Sequence, residues 1–75
     1  MLVKILLKTV KDGNRNRVSF QDIFFDDARA CQALASLNKR IASEGGNEVP
    51  FLIDRSVDNN ATVESVISGV LADFV

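Results

Sequence analysis

Hydrophobic and polar positions alternate along the first ten residues of the chain. Val3, Ile5, Leu7 and Thr9 fall on one face of an extended segment, while lysines alternate with apolar residues on the other face. This pattern predicts a β-strand with one face buried and the second partly buried. Because it is the longest and most apolar of the strand candidates, we expect it at the centre of a sheet.

A second strand is predicted over residues 17–25. Asp12-Gly13 is a strong hairpin signal, so the second strand should return antiparallel to the first. Its alternation fails at Ile23, Phe24 and Phe25, which are three consecutive large apolar residues. We expect either a β-bulge or a short crossing that buries both faces at this point.

Residues 26–44 have the periodicity of an α-helix. Ala30, Leu34, Leu37 and Ile41 form its core stripe, and Asp26 or Asp27 can cap its first turn. Gly45-Gly46 supplies a residue able to adopt positive φ, which is a common way to end a helix. A neighbouring stripe of small residues includes Cys31, which we therefore expect to be buried and unreactive.

A third strand and a second helix complete the pattern. The strand is predicted over residues 48–54, with Pro50 at its start or on a sheet edge. Asn60 is a candidate N-cap for a helix running from residue 61 to about residue 74, with its valines, isoleucine and leucine on one face. The opposite face carries Ser65, Ser68, Gly69 and Ala72. Surface helices usually expose longer charged side chains, so this smooth face is a candidate for subunit contact, although an ordinary solvent-exposed face explains it as well.

The order of elements predicts an α+β fold of β-β-α-β-α type. Placing the first strand between the other two gives a three-stranded antiparallel sheet of order 2-1-3. We expect two layers, with both helices on one face of the sheet. The other face would then expose Leu2, Leu6 and Val10 between lysines, as an amphipathic surface that a second subunit could cover.

Composition limits the classes of function. Seventy-five residues predict one domain (residues 1–75), and 47% hydrophobic residues with 25% charged residues indicate a folded chain. The single cysteine cannot form an internal disulfide, which favours a reducing, cytoplasmic compartment. Because histidine is also absent, the chain offers no familiar zinc site, and we expect no cofactor. We expect neither an enzyme nor a membrane protein, because the chain lacks a recognisable nucleophile or phosphate-binding motif and any apolar run of spanning length.

Charge is unevenly distributed along the chain. Residues 1–17 carry a net charge of +4 and residues 41–75 a net charge of −5, although the whole chain carries only −1. Lys11, Arg15 and Arg17 on the predicted hairpin could contact nucleic-acid phosphates. Alternatively, this basic hairpin could meet the acidic half of a second copy. The low isoelectric point, near 5.2, weighs against nucleic acid.

These observations predict a small non-catalytic protein-interaction module that forms a homodimer or binds an unidentified protein. The alternative is a nucleic-acid-binding accessory protein that uses the basic hairpin. The candidate protein interface consists of six residues on the second helix and the first strand: Ser65, Ser68, Gly69, Ala72, Leu2 and Leu6.

Overall fold

The computed structural model describes residues 1–74, with only the backbone at residue 12. Over these residues the chain forms β1 (Leu2–Asp12), β2 (Arg15–Phe24), α1 (Asp27–Ser43), β3 (Val49–Ser56) and α2 (Val63–Ala72). β1 pairs antiparallel with both other strands, so the sheet order is β2-β1-β3. The predicted α+β class, order of elements and sheet order are confirmed. Neither helix in residues 1–74 is long and apolar enough to cross a membrane.

The β1–β2 hairpin turns through Gly13 and Asn14. Gly13 has a φ of 63°, whereas no non-glycine residue in the described chain has positive φ. Positive φ at the first central position alone is what a type II′ turn requires, and this turn matches the twist of the strands. The hairpin signal in the sequence therefore marks the turn correctly.

A β-bulge interrupts the pairing of β1 with β2. Leu6 pairs with Asp22 but Leu7 pairs with Phe20, so Gln21 is the extra residue. The bulge changes the frame of the alternation, and Ile23 thereby reaches the same side of the sheet as Phe20. Phe24 then packs on the opposite side. Two of the three consecutive apolar residues are placed by the bulge, as predicted.

One core lies between the sheet and α2. Val3, Ile5 and Leu7 are fully buried there together with Val70 of α2. Val18, Phe20, Phe51 and Ile53 from the outer strands pack around them. This side of the sheet, which we call the α2 side, is the face that the alternation in β1 predicts to be buried.

A second core lies on the opposite side of the sheet, beneath α1. It contains Leu6 of β1 with Leu37 and Ile41 of α1. Because successive strand residues point to opposite faces, the burial of Leu6 beside Ile5 and Leu7 places the two helices on opposite faces of the sheet. The prediction of two layers with both helices on one face is therefore wrong, and the arrangement is three-layered.

The lysines of β1 are held at the margin of the α1 side. Lys4 Nζ lies 2.6 Å from Asp54 Oδ1, and Lys8 Nζ lies 2.7 Å from Glu48 Oε2. The hydrogen bond to Asp54 raises the pKa of Lys4 above its ordinary value of 10.5, and desolvation opposes it. These charges occupy a covered face because their aliphatic stems pack inward while their amines reach partners at the edge.

Of four local predictions for the helices, two are confirmed and two are wrong. Asp26 caps α1 by accepting a hydrogen bond from the Ala28 amide, and Gly45 follows α1 with a φ of 71°, as predicted. Thr62 caps α2, so the assignment of Asn60 as its N-cap is wrong. Cys31 is exposed because α1 buries only a narrow stripe, so the expectation that this thiol is buried is also wrong.

Candidate interaction surfaces

The predicted face of α2 is open to solvent. Ser65, Ser68, Gly69 and Ala72 are all exposed and lie on the side of the helix opposite the core residue Val70. A Cβ atom built at Gly69 would meet no other atom within 4 Å. The face therefore offers a shallow surface where another backbone could approach closely, and it has room for a larger side chain in the isolated chain.

A groove runs between this face and the end of β3. Ser65, Gly69 and Asp73 form one wall, and Arg55 and Ser56 contribute to the other, around an open volume of about 370 Å³. An ion pair of 2.8 Å between Arg55 Nη2 and Asp73 Oδ2 bridges the two walls. The groove is thus polar at this bridge and lined elsewhere by small or apolar residues.

The groove exists because α2 is not centred on the sheet. Of the three strands, β2 is the one whose backbone α2 approaches. α2 reaches β3 through the Arg55–Asp73 ion pair and through an edge-to-face contact between Phe51 and Phe74, whose ring centroids lie 6.0 Å apart. On its α2 side, β3 therefore stays incompletely covered, and Val49 remains 59% exposed there.

The two predicted interface residues of β1 differ in their exposure to solvent. Leu2 is 63% exposed at the start of the strand, whereas Leu6 is only 4% exposed beneath α1. Leu6 belongs to the α1-side core and is unavailable to a partner. The amphipathic sheet surface proposed as a subunit contact is therefore removed from the candidates, because α1 covers it.

A separate cluster of exposed apolar side chains lies at one end of the sheet, which we call the apolar end. It consists of Met1, Leu2, Phe25 and Val63, each at least half exposed. β1 begins here, β2 and β3 finish here, and both helices start here. Reciprocal backbone hydrogen bonds between Met1 and Val57 extend the pairing of β1 with β3 and hold Met1 in place.

The free edge of β2 is a poor template for another strand. Beside the bulge, the Gln21 side chain donates to the Phe20 carbonyl, and the Ile23 amide donates to the Asp22 carboxylate. A bulge, together with side chains that occupy neighbouring backbone groups, is a usual protection of an edge strand. We therefore do not place a partner on this edge.

The basic hairpin is less concentrated in charge than the sequence implies. Lys4 and Lys8, which contribute to the +4 of the first 17 residues, are paired with Asp54 and Glu48 along the sheet. Lys11, Arg15 and Arg17 remain exposed near the turn. The three predicted phosphate contacts thus lie at one end of the hairpin, but the register places Lys11 on the α2 side of the sheet and Arg15 and Arg17 on the opposite side. No exposed aromatic residue in the described part of the hairpin lies beside them.

Comparisons with protein-family models, with curated proteins and with solved structures give no match for this chain.

The apolar end is the surface that sequence reasoning missed. Phe25 was expected to be buried with its neighbours, and Val63 was assigned to the core face of α2. The bulge directs only two of three consecutive apolar residues into cores, which leaves Phe25 outside, and Val63 is the first residue of its helix, beyond the edge of the sheet. The run of three large apolar residues was the available signal.

Proposed function

We propose that the protein is a small non-catalytic interaction module that self-associates through the outer face of α2 and the open α2 side of β3. The observation that carries this proposal is the off-centre position of α2, which leaves Val49 of β3 59% exposed, and Phe51 and Ile53 incompletely buried, beside a helix face of small residues. Burying such a surface is favourable in proportion to the apolar area removed from water.

A second copy fits this surface better than an unrelated helix would. Small residues let two α2 helices approach closely around a twofold axis, and each helix would then cover the exposed part of the other copy's β3. A 75-residue chain also has a thin core, since it buries only about 60% of its unfolded surface. Self-association adds the missing burial.

The test is molecular mass in solution, measured by sedimentation equilibrium from low to high micromolar concentration. We expect a concentration-dependent dimer, and Gly69→Glu should weaken it because it places a charge in the centre of the face. The isolated chain has room for that side chain, so helix content should stay nearly unchanged.

A matched control uses Ala35→Glu, which adds the same charge to an exposed position of α1. This variant should dimerise like the parent protein. A strictly monomeric parent at high micromolar concentration would refute self-association. If Gly69→Glu leaves the dimer intact, the outer face of α2 is not part of the dimer interface.

A further inference from the structure

The apolar end surrounds a small hollow whose walls are entirely hydrophobic near its base. Val3, Ile23 and Val66 line the base, while Phe25 and Val63 stand at the mouth around a volume of about 50 Å³. Phe25 is 67% exposed and Val63 is 50% exposed. A large exposed aromatic side chain beside a preformed hollow has the arrangement of an interface anchor and its pocket.

Acidic residues are concentrated at the apolar end, but only Asp58 lines this hollow itself. Asp26 and Asp27 follow Phe25, Asp58 lines the hollow, and Glu64 follows Val63, and all four residues are exposed. Asp26 caps α1 and Asp27 lies 3.8 Å from Lys4 Nζ. In the described part of the chain, no ion pair involves Asp58 or Glu64.

The rim stays negative after its neighbouring positive charges are counted. Arg29 and the Met1 amine each carry one positive charge, and the start of each helix contributes about half a unit. Together these sources compensate about three of the four carboxylate charges, while the Lys4 amine near Asp27 is itself balanced by Asp54, 2.6 Å away. The helix ends stabilise the acidic residues of their first turns, but the exposed carboxylates still attract cations.

A second copy of this chain does not complement the apolar end. Two such ends would bring like charges together. The basic turn at residues 11–16 has complementary charge, but it contains no large apolar side chain that could enter the hollow. The occupant must therefore combine both features.

We infer that the apolar end binds a segment of another protein in which a large apolar side chain is flanked by lysine or arginine. The apolar side chain would pack against the exposed Phe25 and Val63, with only its tip in the hollow of about 50 Å³. The flanking cations would meet Asp58 and Glu64. This site adjoins the groove beside α2, with which it shares Val57, Ala61 and Val66. It is centred on Phe25 and Val63, however, so its occupation does not require self-association.

The probe is an acetylated, amidated hexapeptide of two lysines, phenylalanine, leucine and two lysines, titrated into the full chain labelled with ¹⁵N. We expect saturable shifts of the amide signals around Phe25, Asp58 and Val63. One control peptide replaces the four lysines by glutamates, and another replaces phenylalanine and leucine by glycines. Both controls should bind at least about tenfold more weakly, as loss of a central anchor or of charge complementarity implies.

Matched variants separate this site from general attraction to an acidic protein. Asp58→Asn combined with Glu64→Gln should weaken binding of the lysine peptide, and Phe25→Ser should do so without removing charge. Glu44→Gln, an exposed carboxylate at the far end of α1, should leave binding unchanged. Equal binding of the glycine control, or shifts spread over all acidic residues, would overturn the inference, as would the absence of saturable shifts.

Discussion

The placement of the two helices on opposite faces can be tested with two leucines of β1. Leu2 and Leu6 lie on the same face of the strand, but Leu2 is largely exposed and Leu6 is buried beneath α1. Truncation of a buried leucine to alanine costs about 2–5 kcal/mol, from lost transfer energy and the cavity left behind. Surface substitutions change stability by about 0.5 kcal/mol or less.

We therefore expect Leu6→Ala to destabilise the protein by at least about 2 kcal/mol and Leu2→Ala by well under about 1 kcal/mol. A domain of this size has a total stability of about 4–11 kcal/mol, so the Leu6 variant should lose a large fraction of it. At a typical urea m-value of about 1–2 kcal/mol/M, its unfolding midpoint should fall by about 1 M or more.

Urea unfolding followed by far-ultraviolet circular dichroism is the suitable assay, because the chain contains neither tryptophan nor tyrosine for fluorescence. Each variant should be measured at several protein concentrations, since self-association would add a concentration-dependent contribution. If Leu6→Ala costs no more than Leu2→Ala, α1 does not cover this face, and the three-layer arrangement is refuted.

Three further outcomes are expected. Thr62→Ala removes the hydroxyl that accepts from the Ser65 amide, so it should cost about 1 kcal/mol in urea unfolding, and an unchanged midpoint would contradict the assigned cap. The pKa of Lys4 is raised by Asp54, so the stability from this pair is fully present below the ordinary lysine pKa and is lost as pH rises through the raised value. Urea midpoints measured between pH 9 and 12 (about the range of lysine titration) should therefore fall less steeply with rising pH for Lys4→Met than for the parent protein. In a gel-shift assay at low salt we expect no retardation of a short DNA duplex, and retardation that Lys11→Gln reduces would instead support the nucleic-acid alternative.

The sequence was sufficient to predict which segments form strands and helices. Gly13 and Gly45 mark the two positions of positive φ among the described residues, and the alternation in β1 identifies its buried face. A bulge was one of the two explanations predicted for the broken alternation at Ile23, Phe24 and Phe25, and at Gln21 it brings Phe20 and Ile23 onto one side of the sheet. These features are local, and each is governed by residues within a few positions of one another.

The side of the sheet that each helix covers could not be predicted in the same way. Lys4 and Lys8 made one face of β1 look solvent-exposed, but their amines are held at its margin by Asp54 and Glu48. Both partners are distant in sequence, and no local pattern identifies them. The same error placed Leu6 on a free surface, although it is buried beneath α1.

The three-layer arrangement determines where this protein can meet others. Helices occupy both faces of the sheet and the bulge protects the edge of β2, while the α2 side of β3 and the apolar end carry exposed apolar side chains that partners can reach. In the proposed dimer the two α2 helices would run antiparallel, which their helix dipoles favour. The two apolar ends would then point in opposite directions. A partner that carries two basic apolar segments on a sufficiently long linker could occupy both ends and would bind more tightly through increased effective concentration. Gly69→Glu should abolish this gain because it weakens the dimer, but it should not alter the affinity for a peptide with one segment. Comparison of one-segment and two-segment peptides would therefore measure partner binding and self-association independently.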